Sequence, residues 1–111
     1  HAYEGIALSL DERQRLVADL GQNTAMVLNN HGLLAAGASV GAAFHTIYFL
    51  ERACQAQIKI LSAGGELIYP AETICTHTAQ QFADEDDAEY VQMVWEAAIS
   101  LIESQEADYK S

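Results

Sequence analysis

Asn29, Asn30, His31, Gly32 and Leu33 lie between two short apolar runs, Ala25 to Leu28 and Leu33 to Ala36. Each run has the length of a buried strand, about four to eight residues. Asn and Gly tolerate positive φ, so Asn-Asn-His-Gly can turn or bulge between strands where bulkier residues would be strained. Such a turn carries the His31 imidazole at a strand end on a rigidly held backbone, as a metal ligand or a proton carrier requires. The same five residues also read as a hairpin turn whose histidine points outward. Local sequence leaves both readings open.

Other chemistry-bearing side chains give weaker signals. Val40, Phe44, Ile47, Glu51, Cys54, Ile58 and Leu61 recur in alternating steps of four and three, which puts them on one stripe of a helix. Glu51 is the charged exception on that stripe. A carboxylate among apolar neighbours must be paired, hydrogen-bonded or protonated, so either a structural ion pair or an active-site role is expected of it. His45 falls off the stripe and is expected to be exposed. His77, in Cys75-Thr76-His77-Thr78, has no second histidine or acid at ligand spacing and reads as structural or solvent-facing. Asp84-Glu85-Asp86-Asp87 lacks the glycine turn and ordered spacing of a calcium loop, so it reads as the charged opening of a helix.

The elements that would position these groups follow from periodicity and punctuation. Ser9 caps a helix whose fourth position, Glu12, completes a capping box; Leu16, Val17 and Leu20 give it an apolar side and Gly21 ends it. The strand pair around His31 comes next. Ser39 then caps a long helix over about Val40 to Leu61, widened by Ala43, Leu50, Ala53 and Ile60 and therefore expected to be buried on much of its circumference. Ala63-Gly64-Gly65 closes it. Pro70 precedes a helix over about Ala71 to Phe82, and a last helix carries Val91, Val94, Trp95, Ala98, Leu101 and Ile102 on its apolar face. One α/β layer structure is expected, with helices covering a mainly antiparallel sheet.

Composition bounds the function. The 111 residues suit one domain, and half of them are apolar. With a mean hydropathy of +0.01 the chain should fold. The net charge of −11 repels phosphate backbones and acidic membranes, so neither nucleic acid nor a membrane surface is an expected partner. No window approaches the roughly 18 uninterrupted apolar residues of a membrane span. Cys54 and Cys75 are far apart, without CxxC spacing, and are expected as buried free thiols in the cytoplasm. The opening residues do not read as a signal peptide, and a start at His1 rather than Met is expected of a piece of something longer.

Asn30-His31-Gly32-Leu33 resembles a motif of the class II aldolase/adducin family, and the resemblance extends in both directions. His1-Ala2-Tyr3-Glu4-Gly5-Ile6-Ala7, Glu12-Arg13 and Leu16-Val17-Ala18-Asp19-Leu20-Gly21 are similar to the segment before that motif. Tyr48-Phe49-Leu50-Glu51-Arg52-Ala53-Cys54 is similar to the helix after it, and Asp108-Tyr109-Lys110 to the family's usual ending. The resemblance implies a three-layer α/β/α domain with a mainly antiparallel sheet. Residues 1–111 would be its C-terminal portion, a short strand pair plus about four helices.

It also implies a function. Family enzymes hold a divalent ion, usually zinc, with three histidines; two come from an upstream H-x-H segment, and the third is matched here by His31, with Asn30 and Gly32 lining the site. No H-x-H occurs in these residues. The implied activity is that of a metal-dependent lyase acting on a hydroxy-carbonyl, sugar-like small molecule through a metal-stabilised enediolate. Three neutral imidazoles leave the ion its full charge and open positions for substrate. Related decarboxylases, dehydratases and epimerases belong to the same reading. The alternative is an adducin-like, non-catalytic interaction module. Family members form homotetramers with sites at subunit boundaries, to which the last helix, with Trp95 and the following Tyr109, is a plausible contributor.

Overall fold

A computed structural model describes residues 10–84 and 88–103. Four helices and two strands follow in the order α1 (Leu10–Leu20), β1 (Ala25–Leu28), β2 (Gly32–Ala35), α2 (Val40–Ser62), α3 (Glu72–Asp84) and α4 (Ala88–Glu103). The chain divides into two compact units at Cys54, within α2.

In the first unit, α1 carries Asp11 and Glu12 in its opening turn, where acids favour the positive end of the helix dipole. The expected cap, Ser9, lies outside the described residues. Gly21 ends the helix with φ 57° while its N–H donates to the Val17 carbonyl at 3.0 Å. Asn23 then donates to the Leu20 carbonyl twice, from its backbone N–H and from Nδ2, each at 3.0 Å. Leu16 and Leu20 are half-buried as expected, but Val17 is exposed. Glu12 takes the place on the covered face that apolar patterning assigned to Val17; Glu12, Leu16 and Leu20 share one side at four-residue steps.

β1 and β2 form an antiparallel pair in the register Ala25↔Ala35, Met26↔Leu34, Val27↔Leu33 and Leu28↔Gly32. The Ala36 N–H donates to the Thr24 carbonyl at 2.8 Å, extending the ladder beyond the open end. Ser39 caps α2 as its residue type predicts: Oγ accepts from the Ala42 N–H at 3.1 Å, and the Ser39 carbonyl from the Ala43 N–H at 3.1 Å.

The bounds of α2 match expectation to within a residue, but its covered side does not. Phe44, Ile47 and Cys54 are half-buried, whereas Glu51 is exposed, as are Val40 and Ile58. The buried positions are Gly41 and His45. His45 packs its ring edge-on against Phe49, with centroids 4.9 Å apart. Periodicity marked which residues of α2 share a face; it could not say what lies against each stretch of it.

In the second unit, α2 closes with Ser62 Oγ donating to the Ile58 carbonyl at 2.7 Å and Gly64 at φ 67°. The N–H groups of Ile74 and Cys75 both donate to the Ala71 carbonyl, which starts α3. His77 is exposed, as expected. Both cysteines are free thiols, but Cys54, on α2, is only half-buried, and Cys75, on α3, is exposed. Asp84 ends α3 instead of opening the next helix; Glu85, Asp86 and Asp87 lie outside the described residues. On α4, Val91 is buried and Val94, Trp95 and Ala98 are half-buried, while Leu101 and Ile102 are exposed. No helix among the described residues is long and apolar enough to cross a membrane. Tyr109 and its neighbours Asp108 and Lys110 lie outside the described residues.

Candidate functional site

The hairpin leaves three residues, Asn29, Asn30 and His31, between the closing pair Leu28↔Gly32. The His31 N–H donates to the Leu28 carbonyl at 3.2 Å, so the backbone of His31 is tied to the end of β1. Asn30, immediately before it, adopts φ 53°, and Gly32, immediately after it, adopts φ 149°. Both values lie where L side chains are disfavoured; Asn is among the few non-glycine residues that enter the first, and only Gly readily enters the second. A Cβ on Gly32 would meet nothing within 4 Å. The glycine is thus required by its conformation and not by crowding.

Asn30, His31 and Gly32 are all exposed. A neutral imidazole on a hydrogen-bonded turn is a suitable donor for a divalent ion. No group of three or more His, Cys, Asp or Glu side chains that could hold a metal occurs among the described residues. His31 therefore fits a metal as one donor of a set, and these residues alone do not form the set. Glu51 is exposed, so the burial that suggested an active-site carboxylate is absent at that position.

The buried polar side chains are elsewhere: Glu12 is 7% exposed and His45 is 6% exposed. Sequence reasoning placed neither in the interior. The signal for Glu12 was its four-residue spacing from Leu16 and Leu20; local patterning carried none for His45. The nearby Arg52 guanidinium lies over the Tyr48 ring at 4.2 Å, a cation–π contact on the exposed side of α2.

Comparison with known proteins extends this geometry. Residues 1–58 match the sequence model of the Class II Aldolase and Adducin N-terminal domain. A Caulobacter vibrioides protein named for aldolase class 2 is 53% identical over 64 residues, covering 58% of this chain and 25% of the relative. A Pseudomonas aeruginosa protein with the same kind of name is 35% identical over 113 aligned positions, covering 99% of this chain and 44% of the relative. The crystal structure of an aldolase II superfamily protein from Pseudomonas syringae superimposes with a TM-score of 0.86 at 43% identity, covering 100% of this chain and 45% of that one. This chain belongs to the class II aldolase/adducin family, and its two antiparallel strands and four helices are part of that family's α/β fold. It spans less than half the length of each of these proteins.

Proposed function

We propose that this chain is the C-terminal portion of a class II aldolase-type domain and that the intact polypeptide is a divalent-metal-dependent lyase. Its substrate class is a hydroxy-carbonyl small molecule. His31 supplies one metal ligand, Asn30 and Gly32 line the site, and the remaining ligands come from sequence outside these residues. Zinc is the ion best suited to a histidine set with open positions, where it polarises a substrate carbonyl. The observation that carries this reading is the His31 turn itself: a histidine whose backbone N–H is held by the Leu28 carbonyl and which is flanked by two positive-φ residues, in a chain of this family. The cytoplasm and a homotetrameric assembly complete the proposal.

The family also includes adducins, so a non-catalytic interaction module is the competing reading. In the intact polypeptide, His31→Ala should lower bound metal and lyase activity together while leaving the melting temperature of the metal-stripped protein nearly unchanged. Wild-type metal content in that variant would rule out the ligand role. Metal bound through His31 without turnover of any hydroxy-carbonyl compound would favour the module.

A further inference from the structure

Three features of the turn bear on how His31 is aimed. Its N–H is held by the Leu28 carbonyl at 3.2 Å, and the residues on either side sit at φ 53° and φ 149°. The Asn30 side chain makes no hydrogen bond to any other side chain or backbone group among the described residues. The space beside Gly32 is open. Neither neighbour of His31 therefore contributes a contact that would explain its residue type. What both contribute is access to backbone conformations that other residues avoid.

We infer that Asn30 and Gly32 are positioning residues that act on His31 through the backbone, and that the Asn30 amide is dispensable. This rests on the reading of His31 as a metal ligand. Rotating either φ to a negative value turns the peptide planes on both sides of His31 and swings its Cα–Cβ bond away from the direction the hairpin now gives it. A ligand set tolerates only small errors of direction, of the order of half an ångström, before affinity falls. Zinc affinity should therefore follow tolerance of positive φ at position 30 and not side-chain polarity.

The test is zinc affinity of the intact polypeptide, measured by competition with a chelator. The substitutions are Asn30→Gly, Asn30→Ala, Asn30→Val, Gly32→Ala and, as control, His31→Ala. Asn30→Gly, which removes the amide but keeps the conformation, should stay within about threefold of wild type. Asn30→Ala should weaken zinc by about tenfold and Asn30→Val by more, in line with the penalty for L residues in the left-handed region. Gly32→Ala should behave like Asn30→Val. The ring-proton NMR shifts of His31 in metal-free protein should move in Asn30→Ala and Gly32→Ala and stay in place in Asn30→Gly. Asn30→Ala is the milder substitution and keeps the comparison usable if Asn30→Val does not fold. Equal loss in Asn30→Gly and Asn30→Val would overturn the inference by assigning the role to the amide. Wild-type affinity in Asn30→Ala and Gly32→Ala would also overturn it. If His31→Ala still loses zinc in either case, the ligand reading survives; if His31→Ala keeps zinc, that reading fails and this inference with it.

Discussion

Gly37 and Ala42 approach so closely that a Cβ built on Gly37 would lie 2.8 Å from the Ala42 Cβ and 2.8 Å from the Ala43 nitrogen. The segment leaving β2 is folded tightly onto the first turn of α2, and only a residue without a side chain fits there. Two of the atoms in the way belong to the helix backbone or are fixed to it, so no rotamer change relieves the clash. Gly37→Ala should lower stability by about 1–3 kcal/mol, the usual range for overpacking a tight contact. Thermal melting with and without the substitution measures it; an unchanged melting temperature would mean that the connection yields to a methyl group at position 37.

The same connection ends on the Ser39 cap. Its Oγ satisfies the Ala42 N–H, one of the donors that a helix start leaves without a partner. Ser39→Ala should therefore cost about 1 kcal/mol, and Ser39→Asp should retain most of the capping interaction. Denaturant titration of the two variants checks the order. Equal losses in both would show that the hydroxyl does not cap α2 in solution.

His45 and Glu51 exchange the environments that helical patterning assigned to them. His45 is buried and packed edge-on against Phe49, whereas Glu51 is exposed. His45→Ala should cost about 2 kcal/mol or more, because a shielded ring is deleted and a void is left. Glu51→Gln should change stability by no more than about 1 kcal/mol, as exposed carboxylates do. Chemical denaturation of the two variants decides between the two assignments, and a larger loss in Glu51→Gln would restore the buried-carboxylate reading.

What was legible in the sequence were features fixed by neighbours along the chain. The turn at His31 follows from Asn30 and Gly32, the start of α2 from Ser39, and the two strands from the short apolar runs beside the turn. Exposure was not legible, because it depends on elements far apart in sequence. The stripe from Val40 to Leu61 is real as a face of α2, yet it is half-covered only around Phe44 to Cys54 and exposed from Ile58 onward. Glu12 read as a capping-box residue on local pattern, which gave no sign that it is buried. The candidate site shows the same limit. The residue types around His31 marked a turn and left open whether its histidine is a ligand, while the other members of a ligand set are not found among the described residues.

Exposed apolar side chains lead to the remaining prediction. Val91, at 6% exposed, is the buried apolar side chain among the described residues, and no described side chain is fully enclosed. Against it stand Ile58 at 64%, Ile68 at 95% and Leu101 at 70% exposed, with Ile60, Leu61 and Tyr69 also open to solvent. Single exposed apolar residues are ordinary, but so many beside so little core favours association. The isolated 111 residues should therefore self-associate, with a light-scattering mass above that of the monomer that rises with concentration. They should also bind zinc only weakly, since His31 alone supplies one donor and useful zinc sites need three or four. Light scattering over a concentration series and a zinc titration on the same sample test both points. A stable monomer would refute the expected association, and zinc binding at micromolar or better concentration would refute the argument that His31 needs ligands from outside these residues.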